Sequence, residues 1–102
     1  MSQRIGKDAR KEQILEAAVV VARKVGYVAL TRKQIADAAC ISQALVSRYF
    51  GTMENVKDET VKRAIAKSDL KIISEAVVHR HAGARKYAQK EKAKLRAYLG
   101  LE

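Results

Sequence analysis

Apolar residues recur at helical spacing along most of the chain. Ile14, Leu15, Ala18, Val21, Ala22 and Val25 step by three and four, one face of a helix over residues 8–25. Gly26 follows at once and reads as its left-handed stop. Tyr27, Val28, Ala29 and Leu30 form an apolar connector that should pack. Thr31, with Gln34 three positions on, has the capping-box pattern and opens a short second helix that ends near Ala39. Cys40 and Ile41 turn the chain, and Ser42 caps a third helix over residues 43–50. Gly51 ends that helix and Thr52 caps a fourth, expected to reach about Val78. Val56, Thr60, Ala64, Ile65, Leu70, Ile73 and Val77 give it a broken apolar stripe. Gly83 marks the expected break before a fifth helical stretch, residues 84–99.

The pattern predicts an all-α fold: a helix-turn-helix three-helix head followed by one or two C-terminal helices. Residues 1–7 read as a flexible basic arm, 8–52 as the head, and 53–102 as C-terminal helices with a basic tail and a dimerising role. No internal repeat and no Gly/Ser/Pro linker divides the chain further.

The segment 31–50 places particular residue types where a helix-turn-helix needs them. Where its two helices cross, the first must carry a small residue, and Ala36 stands there. Four positions later the backbone turns sharply at Cys40. Ile35, Ala39, Ile41, Val46 and Tyr49 fall at the offsets that fill the space beneath both helices. In such a motif the second helix lies in the major groove of DNA.

Charge points the same way. The 102-residue chain carries 21 Lys and Arg against 11 Asp and Glu, a net charge of +10, which attracts a polyanion. The acids lie mostly before residue 79; between residues 79 and 96 there are seven Lys and Arg and a single Glu. An ordinary helical hairpin would explain the apolar pattern but not this charge. One cysteine, Cys40, excludes an intrachain disulfide and suits a reducing cytoplasm. No apolar run approaches a membrane span and no secretory leader is visible, so a cytoplasmic protein without membrane partners is expected. The five glycines are scattered and make no phosphate loop. His79 and His81 do not share a helical face, and Cys40 is a turn residue. Neither a metal or other cofactor nor an enzymatic activity is therefore expected.

Ile14, Leu15, Glu16, Ala17 and Ala18, then Gly26 and Tyr27, then Ile35 to Ala39, Ile41 and Ser42, and finally Arg48, Tyr49, Phe50 and Glu54 form one ordered, gapless set. In these residues the chain resembles the DNA-binding domain of the tetracycline-repressor (TetR) family. The resemblance implies a three-helix DNA-binding head whose fourth helix leads to a dimerising body. It also implies a short form without the family's ligand-binding domain, so a small-molecule inducer is not expected. The family usually has Gly where Cys40 stands, Gly-Thr-Leu-Tyr where residues 44–47 stand, and Lys where Met53 stands. The phosphate contacts of that Tyr and Lys are not carried over.

On the third helix Gln43, Ala44, Ser47 and Arg48 are expected to be exposed. Gln can pair with adenine, Arg with guanine, and Ala can meet a thymine methyl; Gln43, Ser47 and Arg48 are the candidates for base readout. Arg48 serves equally as a phosphate contact. By the resemblance, Tyr49 stands at the aromatic position whose hydroxyl often reaches phosphate in the family; a core ring is the alternative, and an amphipathic Tyr allows both. Thr31, Arg32, Lys33 and Ser42 lie at helix starts that favour phosphate, and Lys57 lies one turn into the fourth helix. Arg4, Lys7, Arg10 and Lys11 are candidates for a minor-groove arm or a solvated tail. The expected function is a sequence-specific transcriptional regulator, a repressor of plasmid or phage type that binds palindromic double-stranded DNA as a homodimer. The alternatives are a nonspecific nucleic-acid-binding protein and a protein-interaction module of a mobile element.

Overall fold

A computed structural model of the chain describes residues 6–100. It contains helices α1 (Lys7–Val25), α2 (Arg32–Ala39), α3 (Gln43–Phe50), α4 (Met53–Ala66), α5 (Leu70–Val78), α6 (Ala82–Lys90) and α7 (Lys92–Tyr98), with no strand among the described residues. The expected all-α fold and helix-turn-helix head are present. The C-terminal part is cut finer than expected: the single helix over residues 53–78 is α4 plus α5, and the basic stretch is α6 plus α7.

α1 starts earlier than its apolar stripe. Gly6 is its N-cap, so Lys7, Arg10 and Lys11 belong to a helix rather than to an arm, while Arg4 and the rest of residues 1–5 lie outside the described residues. Asp8 in the first turn and Arg23 and Lys24 in the last complement the helix dipole. Ile14, Leu15, Ala17, Ala18, Val21 and Ala22 turn inward. Val25, expected in the core, is the last residue of α1 and is 42% exposed. In the connector, Leu30 is buried and Tyr27 half-buried, whereas Val28 is 44% exposed.

The unexpected breaks at Ser68 and Arg80 share one device with the expected turn at Cys40. Cys40, Ser68 and Arg80 all adopt left-handed backbone, with φ of +58°, +54° and +62°. At each, two hydrogen bonds close the preceding helix in a Schellman turn. Ile41 N–H donates to Ala36 O (3.0 Å) and Cys40 N–H to Asp37 O (3.3 Å). Asp69 N–H donates to Ala64 O and Ser68 N–H to Ile65 O. His81 N–H donates to Ala76 O and Arg80 N–H to Val77 O. Gly83, the expected break, lies instead in the first turn of α6. A side chain in left-handed backbone is strained, and glycine relieves this at some cost in unfolded-state entropy. Ser68→Gly and Arg80→Gly should each stabilise the fold by about 0.5–1 kcal/mol, read as a higher urea midpoint at unchanged slope.

The break at Ser68 also resets the phase of the apolar face. Beyond it Ile72 and Ala76, absent from the expected stripe, are fully buried, while Leu70 and Val77 are only partly so; Val61, before the break, is also buried and likewise absent from the stripe. α1 is the spine, packed on α2, α4 and α5; α6 leans on α4 and α5, and α7 on α5 and α6. One core results, centred on Ile14, Ile35, Val46, Val56, Val61, Ile72 and Ile73, in a molecule of 54 × 25 × 21 Å.

Polar ties lock the end of α1 to α5. The Glu75 carboxylate accepts the Tyr27 N–H, Arg23 pairs with Asp69 at 2.6 Å, and Lys71 Nζ donates to Arg23 O. A Cβ at Gly26 (φ +95°) would come within 2.8 Å of Glu75 Oε2 and push that carboxylate aside, and the left-handed backbone there favours glycine. His81 caps α6, its Nδ1 accepting the Ala84 N–H at 3.2 Å, and its Nε2 lies 2.8 Å from Asp58 Oδ1. Burial raises the Asp58 carboxyl, but hydrogen bonds from His81 and Lys62 outweigh it and hold the group below the ordinary carboxyl range. A depressed folded value gives stability that is complete above the unfolded pKa near ~4 and lost as pH falls through the folded one. Asp58→Asn should remove that part of the acid sensitivity, checked by thermal melts from neutral pH downward.

Candidate nucleic-acid interface

The turn at Cys40 sets α3 across α2, with Ala36 buried at the crossing. Val46 and Phe50, one turn apart, bury the inner face of α3. The same periodicity turns Gln43, Ala44 and Arg48 outward, all exposed, with Ser47 half-buried beside them. The expected exposed face is thus present, with Ser47 set back from the rest.

Arg48 is its centre. The guanidinium makes no hydrogen bond or ion pair among the described residues. It lines two shallow depressions at once. One, of about 190 Å³, is shared with Ser42, Ala44 and Leu45. The other, of about 430 Å³, is shared with Lys7, Lys11 and Tyr49. Lys7 and Lys11 are four apart on α1, so both project from one side of that helix toward α3. Sequence reasoning put Lys7 in the arm and Lys11 within the first helix, and offered both for a minor-groove arm or a solvated tail; both ride on α1. Arg10 instead bonds Gln13 at 2.9 Å, and Gln13 in turn donates to Ala39 O at 3.0 Å, tying α1 to α2.

The remaining candidates fall into two groups. Thr31 and Ser42 cap α2 and α3, accepting the N–H of Gln34 (3.2 Å) and Leu45 (3.1 Å), and each hydroxyl keeps its hydrogen for an outside acceptor. Tyr49 is half-buried against the core and also faces the Lys7 and Lys11 depression, as its two-sided chemistry suggested. The cations Arg32, Lys33 and Lys57 have work inside the molecule. Arg32 Nη2 donates to Gly51 O at 3.2 Å, Lys57 Nζ donates to Val28 O at 3.0 Å, and Lys33 pairs with Asp37 at 2.9 Å. The first holds the end of α3 at Gly51, and Lys57 ties α4 to the connector between α1 and α2.

The arrangement is an exposed helix with one unpaired arginine and two flanking lysines, mounted on a second, capped helix. Residues 14–60 match the family model of bacterial regulatory proteins of the tetR family. The chain carries a tetR-family DNA-binding domain. It is therefore a DNA-binding transcriptional regulator with α2 and α3 as its helix-turn-helix. No curated protein and no solved structure matches the chain. The matched stretch of this tetR-family domain ends within α4, so α5, α6 and α7 lie beyond it. Among the described residues no helix is long and apolar enough to cross a membrane.

Proposed function

We propose that the protein is a repressor that occupies a palindromic operator as a homodimer. The observation that carries this reading is the unpaired Arg48 guanidinium, exposed at the middle of the outer face of α3 between Gln43 and Ala44 on one side and Lys7 and Lys11 on the other. Gln43, Ala44 and Arg48 read base edges in the major groove, with Ser47 behind them. Lys7, Lys11 and the hydroxyls of Thr31, Ser42 and Tyr49 hold the flanking phosphates. Occupancy of a promoter suffices for repression, and the protein acts in the cytoplasm.

Dimerisation uses the end of the molecule away from α3. The expected apolar stripe of the C-terminal helices is largely consumed by the chain's own core. What is left over is Val78 and Leu99, at 75% and 54% exposure, on an apolar depression of about 390 Å³ that Ala22, Val77 and Leu95 also line. Two heads joined there would address two half-sites. Val78→Glu should yield a monomer by light scattering with an unchanged melt, and weaken operator binding; a dimer that persists would move the interface elsewhere.

The central test is selection from a random duplex pool, followed by titration of the winner and a scrambled duplex at ~0.15 M salt. A palindromic winner bound about a thousandfold or more tighter supports the repressor reading. A flat pool overturns it in favour of sequence-independent binding.

A further inference from the structure

The surface of α6 and α7 is the most one-sided in charge, and neither the matched domain nor the reading face includes it. Residues 51–78 hold as many acids as bases, and several are paired: Lys62 with Asp58 and Glu59, Arg63 with Glu12, Arg23 with Asp69. α6 and α7 are built differently. Arg85, Lys86 and Lys90 line the outer side of α6, opposite the buried Ala84, and Lys92 and Lys94 follow on α7. All five are exposed and none has an ion-pair partner among the described residues. Glu91 is the lone acid between residues 79 and 96.

This placement works against the fold. Lys86 and Lys90 stand at i,i+4, where like charges repel, and Lys92 and Lys94 occupy the first turn of α7, where the helix dipole disfavours cations. A face kept only for solubility would be interspersed with acids, as α4 is. A polyanion laid along it would relieve both conflicts.

We propose that α6 and α7 form a second DNA-binding surface, which grips the phosphates of a duplex without regard to sequence. A membrane surface fits less well. Between the lysines the exposed side chains are Gln89 and Ala93, Tyr87 and Ala88 are half-buried, and the large exposed apolar groups, Tyr98 and Leu99, lie past the basic rows. The two surfaces are separate. The N-terminal end of α1 lies beside Arg48 and Tyr49, and its C-terminal end beside Leu95 and Leu99 of the α7 region. The 19 residues of α1 span about 28 Å between them. One molecule can thus read its site with α3 and hold a neighbouring segment with α6 and α7, lengthening its stay on DNA.

The test uses the full chain and a scrambled duplex, so it does not depend on whether an operator exists. Lys86→Gln with Lys90→Gln, and separately Lys92→Gln with Lys94→Gln, are compared with the charge-matched pair Lys24→Gln and Lys67→Gln, which lies on neither surface. Each α6–α7 pair should lose about tenfold in affinity at ~0.1 M salt and flatten the slope of log affinity against log salt by about 1.8, the value for two phosphates. The exposed positions leave the helical signal intact as a folding control. Losses no greater than those of the charge-matched pair overturn the proposal. So does tighter binding to phosphatidylserine-containing vesicles than to the duplex.

Discussion

Arg48→Ala should weaken operator binding by about ten- to a hundredfold, the ~1–3 kcal/mol that one bidentate base contact contributes, while leaving the melting temperature and the affinity for a scrambled duplex nearly unchanged. Its side chain is exposed and holds no partner among the described residues, so its removal should disturb nothing structural there. The loss should concentrate at one base pair of each half-site: substituting that pair in the operator should cost the wild type as much as the mutation does, and cost the variant nothing more. Lys11→Ala is the informative contrast. A lysine that touches phosphate lowers affinity for operator and scrambled duplex by the same factor and reduces the salt slope by about one. If Arg48→Ala behaves like Lys11→Ala, Arg48 is a phosphate contact and base readout rests with Gln43 and Ala44.

The head of this protein is legible in its sequence because local chemistry and tertiary packing agree there. Thr31 and Ser42 announce their helices by capping chemistry that the structure uses as read, and Ala36, Val46 and Phe50 lie on the buried face that helical periodicity requires. Cys40 is legible only by position: four residues beyond Ala36 the chain must turn, and it does so in left-handed backbone despite the missing glycine. The same substitution of a side-chain-bearing residue for glycine hides the next two turns. Ser68 and Arg80 carry no turn signature, and the glycine that offers one, Gly83, sits inside α6. Once a break is missed, the apolar phase beyond it is read wrongly, which is why Ile72 and Ala76 escape notice and Leu70 is over-weighted. Long-range polar partners are invisible at this level. Nothing near Arg32 or Lys57 in sequence indicates that one bonds Gly51 O and the other Val28 O, so both look like free cations awaiting phosphate.

Ile73→Ala should be the most damaging single change in the body. Ile73 is wholly buried on α5, the helix that touches α1, α4, α6 and α7 together. Truncation there removes apolar contact on several sides and leaves a cavity, a loss of about 2–5 kcal/mol. At roughly 4–8 °C per kcal/mol for a domain of this size, the melting midpoint should fall by at least about 8 °C. The variant also decides whether head and body fold as one. α5 is tied to the end of α1 through Glu75 and Tyr27, Asp69 and Arg23, and Lys71 and the Arg23 carbonyl, while the other end of α1 presents Lys7 and Lys11 beside Arg48. If those ties couple the two parts, the helical signal and DNA binding should vanish over the same narrow temperature range in the variant as in the wild type. A variant that loses part of its helicity first and still binds DNA would show the opposite: the head folds alone, and α5 contributes only to what is attached beyond it.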